Sequence, residues 1–207
     1  MAKHALVLRT SDDVLLEAEM DVPADHWAAV VLAHPHPQFG GDMHAYVTDA
    51  LFRALPSEAV AVLRFNFRGV GGSRGTHDHG GRERLDVAAA VEEMAALGAK
   101  VPFVLSGYSF GADVSLNVAD ERLDAWFAVN PPLTDVAKAA ALDPRPKRLA
   151  IGEHDQYDPP PVAAARTASW VNTTIVPIAH GDHFMMGATP QLISELLTFL
   201  RELRDEL

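Results

Sequence analysis

The sequence predicts an α/β fold: a mostly parallel sheet of about eight strands with helices on both faces. Short apolar runs alternate with stretches of helical periodicity almost to the end of the 207 residues. The run at 28–33 is apolar at every position, as expected of a strand covered on both faces. The polar and glycine-rich segments that could carry chemistry follow directly after the predicted strands. A parallel sheet places its ligand site at that edge.

The strands are predicted, in chain order, at 5–8, 14–20, 28–33, 60–65, 101–105, 125–129, 148–151 and 173–178. The first two are expected to form an antiparallel edge. Helices are predicted at 43–55, 82–97, 110–119 and 190–206. The last helix carries Leu and Phe at helical spacing, which suits packing in the core or, alternatively, the contact of a homodimer.

Length and composition narrow the class of protein. Residues 1–207 are expected to form one domain. A formal net charge of −11 argues against nucleic acid and anionic membranes as partners and leaves a small-molecule substrate. The absence of cysteine excludes disulfides, a thiol nucleophile and a Cys-ligated metal. The N-terminus is not followed by an apolar run of signal-peptide length, and no apolar run approaches the ~20 residues of a spanning helix, so a cytoplasmic protein is expected.

The run Gly107-Tyr108-Ser109-Phe110-Gly111 fits the pattern Gly-x-Ser-x-Gly. It follows a predicted strand and precedes a predicted helix, which is the context that gives the pattern meaning. A tight strand-to-helix turn lifts the Ser hydroxyl clear of the sheet, and small residues two positions to either side relieve crowding. Ser109 is therefore predicted to be a nucleophile.

The whole chain resembles the α/β-hydrolase superfamily. It is most similar to a compact bacterial group of predicted esterases with a His-Pro-His-Pro run, here at 34–37, a following Gly-Gly pair and the Gly-Tyr-Ser-Phe-Gly elbow. The resemblance implies the α/β-hydrolase fold and a Ser–Asp–His triad in that chain order. It does not specify a substrate.

The acid and the base are expected after the last two strands. The resemblance points to Asp155, at a Gly-x-x-Asp position, with Asp158 on the same loop as the alternative and Glu153 less favoured. For the base it selects His183, directly before an aromatic residue, over His180. In these roles His183 would take the proton of the Ser hydroxyl, and Asp155 would orient the imidazole.

The loop at 34–41 is expected to contribute one N–H to an oxyanion hole, and Phe110 the other. Pro35 and Pro37 have no N–H to donate, which leaves His36 or Gln38; the pattern of the relatives points to His36. Gly40 and Gly41 are expected to let the backbone turn closely under the site.

Two other readings of these loops are weaker. The pairs His34-x-His36 and His77-x-His79 lack a carboxylate at metallo-hydrolase spacing, so neither a metal nor a cofactor is expected. The glycine-rich run at 64–75 does not fit a phosphate-binding loop. Arg68 is expected to tie loops together, with binding of a substrate carboxylate by Arg68 or Arg74 as the alternative.

No separate cap domain is predicted, because only the eighteen residues 130–147 separate two strands where larger relatives insert one. The site should be an open cleft near His36, with Phe39, Tyr108, Tyr157 and Phe184 as candidate substrate-binding residues. These features favour a carboxylic-ester hydrolase acting on a small or exposed acyl group through an acyl-enzyme on Ser109. The alternatives are a peptidase or thioesterase on the same triad, or a binding protein that retains the fold.

Overall fold

The computed structural model describes residues 3–133 and 138–206, which contain an eight-stranded sheet and five α-helices. The strands are β1 His4–Arg9, β2 Leu15–Asp21, β3 Ala28–Ala33, β4 Val60–Phe65, β5 Phe103–Tyr108, β6 Ala125–Val129, β7 Lys147–Gly152 and β8 Thr173–Ile178. The helices are α1 Tyr46–Ala54, α2 Glu83–Ala95, α3 Phe110–Ser115, α4 Pro160–Arg166 and α5 Thr189–Glu206.

The strand order across the sheet is β1-β2-β4-β3-β5-β6-β7-β8. β2 pairs antiparallel with both β1 and β4, and all the pairings from β4 to β8 are parallel. The predicted fold class and the antiparallel edge are thus confirmed. The parallel part brings the carboxyl ends of β3, β5, β6, β7 and β8 to one edge, where the loops of the predicted site lie.

Both faces of the sheet are covered, and β3 shows how. All six of its side chains are buried. Val30 and Leu32 pack in a cluster with α1 and α5, whereas Val31 and Ala33 pack in a second cluster with α2, α3 and α4. Successive side chains of a strand point to opposite faces, so a strand between two helical layers must be apolar throughout.

Some predicted boundaries were wrong. β5 continues through Gly107 to Tyr108, because its ladder with β3 and β6 outlasts the apolar run that ends at Leu105. α3 ends at Ser115 rather than at residue 119. The helix α4 was not predicted, since its sequence starts with two prolines; proline is compatible with the first turn of a helix.

The segment 130–147 contains a short 3₁₀ helix, Ala139–Leu142, while residues 134–137 of this segment lie outside the described residues. No separate cap domain is present in the described parts of the chain. Within residues 3–133 and 138–206, no helix is both long enough and apolar enough to cross a membrane.

Arg68 ties three segments together below the site. Its guanidinium contacts Asp86 Oδ1 at 2.7 Å and Asp12 Oδ2 at 2.9 Å, and the Arg68 side chain is almost fully buried. The N–H of Arg68 also donates to Asp86 Oδ2. These contacts match the expected structural role of Arg68. Its guanidinium pairs with two carboxylates of this chain, those of Asp12 and Asp86.

Candidate active site

Ser109 lies on the turn between β5 and α3, with φ 52° and ψ −119°. This is a strained conformation for a residue with a side chain, and strain of this kind is concentrated at functional sites. Its N–H donates to Val129 O of the adjacent strand β6. The backbone is therefore fixed while the hydroxyl stays available.

The two glycines of the motif are required by space. A Cβ on Gly107 would lie 2.4 Å from the backbone of Gly111, and a Cβ on Gly111 would lie 2.4 Å from Ala33 O. Real Cβ atoms do not approach backbone atoms so closely. The strand, the turn and the next helix can pack this tightly only because both positions lack a side chain.

Three side chains from separate loops form a line of hydrogen bonds. Ser109 Oγ lies 3.0 Å from His183 Nε2, and His183 Nδ1 lies 2.8 Å from Asp155 Oδ2. His183 and Asp155 are both buried. An imidazole held in this way can accept a proton from the hydroxyl, while the carboxylate balances the charge that the ring acquires.

The second oxygen of Asp155 is held by backbone. Asp155 Oδ1 accepts from the N–H groups of Tyr157, at 2.7 Å, and Asp158, at 3.1 Å. Burial acts to raise the pKa of Asp155, but the hydrogen bonds from His183 and Tyr157 outweigh it, so the pKa lies below its ordinary value. Because the carboxylate is ionised, it accepts the proton of Nδ1, which leaves the lone pair of Nε2 facing Ser109.

The alternative acids lie elsewhere. Asp158 pairs through its side chain with Arg166 at 3.1 Å, and burial raises the pKa of Asp158. Asp158 contacts the candidate acid through its backbone N–H, which donates to Asp155 Oδ1. Glu153 is exposed and accepts from the N–H of His180, which is also exposed. The structure thus brings Ser109 together with His183 and Asp155. The side chains of Asp158, Glu153 and His180 have other contacts or are exposed.

One residue that holds the loop of the candidate base, Asn130, was not predicted from the sequence. Asn130, directly after β6, donates from Nδ2 to the carbonyls of Asp182 (3.1 Å) and His183 (2.9 Å), and its Oδ1 accepts from the N–H of Gly152 (2.8 Å). Asn130 is buried at φ 43°, a left-handed conformation that Asn tolerates well. The only available signal was an Asn at the end of a strand.

Tyr108, predicted to bind substrate, is buried and donates its hydroxyl to His183 O at 2.9 Å. Burial raises the pKa of Tyr108. The contact that the structure gives it therefore holds the loop of the base, and a contact with substrate stays a prediction.

The loop after β3 is fixed through His34. Its Nδ1 lies 2.6 Å from Pro35 O, and its Nε2 lies 3.0 Å from the N–H of Phe67. A neutral imidazole satisfies both contacts, as a donor at Nδ1 and an acceptor at Nε2. Burial lowers the pKa of His34 to about 4, which keeps the ring neutral. Both ring nitrogens are used, so His34 has none left to bind a metal.

The backbone of the same loop distinguishes the two candidate oxyanion donors. The N–H of Gln38 is used, since it donates to His36 Nδ1 at 3.2 Å. The N–H groups of His36 and Phe110 donate to no other described residue. The rings of these two residues lie side by side, with centroids 4.8 Å apart. The geometry therefore favours His36 over Gln38.

Comparison of the sequence with known proteins finds an uncharacterised relative that matches about half of the chain. No protein-family model matches the sequence. An uncharacterised protein of Rickettsia prowazekii is 34% identical over 113 residues, which are 53% of this chain and 47% of the relative. The match thus spans about half the length of that relative.

Solved structures match over nearly the whole chain. An α/β serine hydrolase homologue from Coxiella burnetii is 27% identical with a TM-score of 0.86, covering 97% of this chain and 98% of its own. An α/β serine hydrolase from Xanthomonas campestris, described as lacking a lid, is 28% identical with a TM-score of 0.83, covering 98% and 95%. The chain has the α/β serine hydrolase fold.

The predicted rim of the site is open and aromatic. Phe39, Tyr157 and Phe184 are 87%, 64% and 53% exposed. Tyr157 packs edge-on against the ring of His183, with centroids 4.6 Å apart, and Phe39 lies against His36 with centroids 4.9 Å apart. Apolar rings therefore lie beside both the candidate base and the candidate oxyanion loop, and residues 3–133 and 138–206 form no domain above them.

Proposed function

We propose that the protein is a serine hydrolase that cleaves carboxylic esters through an acyl-enzyme on Ser109. The observation that carries the proposal is the line of hydrogen bonds from Ser109 Oγ through His183 to Asp155, at 3.0 Å and 2.8 Å. Both distances lie within the range in which a general base acts on a nucleophile.

In the first half of the reaction, Ser109 Oγ attacks the ester carbonyl carbon while its proton passes to His183 Nε2. The carbonyl oxygen becomes an oxyanion in a tetrahedral intermediate. When the intermediate collapses, the bond to the alcohol oxygen breaks, and the imidazolium gives its proton to that oxygen. The alcohol leaves, and the acyl group remains on Ser109.

In the second half, His183 takes a proton from water, and the hydroxide formed attacks the acyl carbon. Collapse releases the carboxylic acid and returns the proton to Ser109 Oγ. Asp155 stays ionised throughout and stabilises the imidazolium in both steps. Its lowered pKa, set by hydrogen bonds that outweigh its burial, suits this role.

The N–H groups of His36 and Phe110 are proposed to stabilise the oxyanion. Both lack a partner among the described residues, and their side chains are in contact. Donors that are already in place gain strength when charge develops on the oxygen, and one such donor contributes roughly 10²–10³-fold to kcat.

The open rim supports a small acyl group or the exposed end of a larger molecule. Phe39, Tyr157 and Phe184 could contact the acyl or alcohol portion, but they do not enclose it. A long acyl chain needs a covered apolar channel to remove most of its surface from water, and drug-sized ligands are commonly buried by 70–90%.

The test of the nucleophile is labelling with a serine-directed fluorophosphonate, followed by intact mass. The native chain should gain one adduct, and Ser109→Ala should gain none. Ser194→Ala, at an exposed position of α5, is the matched control and should label as the native chain does. Labelling of Ser109→Ala, or no labelling of a folded native chain, would overturn the proposal; the second result would favour a binding protein.

The test of the leaving group is a panel of p-nitrophenyl esters and thioesters of acetyl, butyryl and octanoyl groups, together with aminoacyl amides. The proposal predicts that kcat/KM is highest for the acetyl and butyryl oxygen esters. A thioester or amide preferred by tenfold or more would retain the triad but replace the esterase by a thioesterase or peptidase.

A further inference from the structure

We infer a second site, for a zinc ion, at Glu153, His154 and His180. One ligand atom from each of these residues lies within 4.8 Å of the other two. All three side chains are exposed, and none belongs to the line of side chains at Ser109. Zinc could bind at these three residues whether or not Ser109 cleaves esters.

The donor set selects the class of metal. Two imidazoles and one carboxylate suit zinc, which binds nitrogen and oxygen at about 2.0–2.2 Å with tetrahedral geometry. Calcium and magnesium prefer oxygen ligands alone. Tetrahedral bonds of that length place ligand atoms roughly 3.3–3.6 Å apart. The ends of exposed side chains can rotate to cover the remaining ångström or so, and water would complete the fourth position.

The backbone under the site is already held in place. The N–H of Glu153 donates to Ile178 O at 3.0 Å, and the N–H of His154 donates to Gly181 O at 2.8 Å. The N–H of His180 donates to Glu153 Oε2 at 3.1 Å, which orients the carboxylate and leaves Oε1 for a metal. The three residues need little backbone movement to bind one ion.

The position of the site gives the ion a structural effect. His154 directly precedes Asp155, and His180 lies three residues before His183. A zinc ion bound to both histidines would cross-link the loop after β7 to the loop after β8. It would therefore act as a clasp between the two loops that carry the candidate acid and base.

The experiment measures zinc binding by isothermal titration calorimetry at pH 7.5, using the untagged chain freed of metal with a chelator. We expect one zinc per chain at this site. His154→Ala, His180→Asn and Glu153→Gln should each weaken binding by about tenfold or more. Asn is chosen at position 180 because φ is 59°, a conformation that Asn tolerates, and Gln at 153 can still accept from the N–H of His180.

His79→Asn is the matched control, because His79 is an exposed histidine with a φ of 53° in a different pair with His77. Its zinc affinity should stay within twofold of the native value. At a hundredfold excess of zinc over Kd, Tm of the native chain should rise by about 5–10 °C, whereas magnesium should leave Tm unchanged.

Binding that survives His154→Ala and His180→Asn within twofold would overturn the inference, as would the absence of binding at about 100 µM zinc, which corresponds to a Kd weaker than that concentration. Circular dichroism of the zinc-free variants separates loss of the site from loss of the fold. Because fluorophosphonate labelling is measured on the zinc-free chain, the zinc site and the proposed esterase can each fail without the other.

Discussion

Replacing Asn130 should loosen the loop that carries His183. The substitution leaves the side chains of Ser109, His183 and Asp155 unchanged, because the hydrogen bonds that it removes go to backbone atoms. The Asn130 side chain makes three hydrogen bonds. The bonds to His183 O and from the N–H of Gly152 are buried, and the bond to Asp182 O is partly buried. Each bond contributes about 1 kcal/mol to stability. Asn130→Gly keeps the left-handed backbone, removes the three bonds and adds entropy to the unfolded chain, so its free energy of unfolding should fall by about 3–4 kcal/mol.

Asn130→Ala removes the same bonds and adds a strained backbone. A left-handed conformation at φ 43° costs a residue with a Cβ roughly 1–2 kcal/mol, so this variant should lose about 4–5 kcal/mol. Asn172 provides the control, since it has the same φ of 43° but is exposed, and its side chain makes one bond, to Pro144 O. Asn172→Gly should lose no more than about 1 kcal/mol.

Two assays test this reasoning. Urea unfolding followed by circular dichroism gives the stability of each variant, and the rate of fluorophosphonate labelling reports how His183 is placed against Ser109. A shift of about 1 Å in His183 can slow the reaction by roughly 10². The reasoning is refuted if Asn130→Gly unfolds within 1 kcal/mol of the native chain and labels at the native rate.

The remaining predictions concern other parts of the molecule. Asp155→Asn should keep the fold and slow hydrolysis of p-nitrophenyl acetate by about 10⁴, because an amide selects the wrong tautomer of the base; a loss below tenfold would exclude the proposed role. The hydrogen bond from Arg68 lowers the pKa of Asp12 to about 2, so its stabilisation is complete above the unfolded pKa, near 4, and is lost as the pH falls through 2. In urea unfolding between pH 2 and 5, Asp12→Asn should therefore show a shallower loss of stability than the native chain. Gly111→Ala should give an unfolded or insoluble chain. Gly98→Ala, at an exposed position with free space for a Cβ but with a φ of 68°, should fold with a loss of roughly 1–2 kcal/mol, as circular dichroism and sedimentation would report.

The fold was predictable because its signal is local and repeated. Ala28–Ala33, Val60–Phe65, Ala125–Val129 and Thr173–Ile178 begin and end where the sequence places them. The first three are apolar at nearly every position, and turn residues flank them. α4 was missed because helix periodicity is not visible over seven residues that start with prolines.

The candidate site was predictable to the extent that its residues belong to motifs. The Gly-x-Ser-x-Gly pattern gave Ser109, and the resemblance selected Asp155 and His183 from neighbouring acids and histidines; the structure brings these three together. Asn130 and the three proposed zinc ligands belong to no such pattern. Asn130 acts on residues more than fifty positions later, and Glu153 is 27 positions from His180, so only the fold makes them neighbours.

The register of β7 and β8 explains how a separation of 28 residues becomes a contact of 2.8 Å. The last pair of this ladder is Gly152 with Ile178, three residues before Asp155 and five before His183. A Cβ at Gly152 would lie 2.5 Å from Gly181 O, so the two loops meet backbone to backbone as they leave the sheet. Each loop then needs only a few residues to aim its side chain, and short segments tied at one end lose little conformational entropy when they become ordered. The sheet therefore fixes most of the relative placement of Asp155 and His183. The contacts of Asn130 and the proposed zinc ion restrict the remaining movement of the two loops.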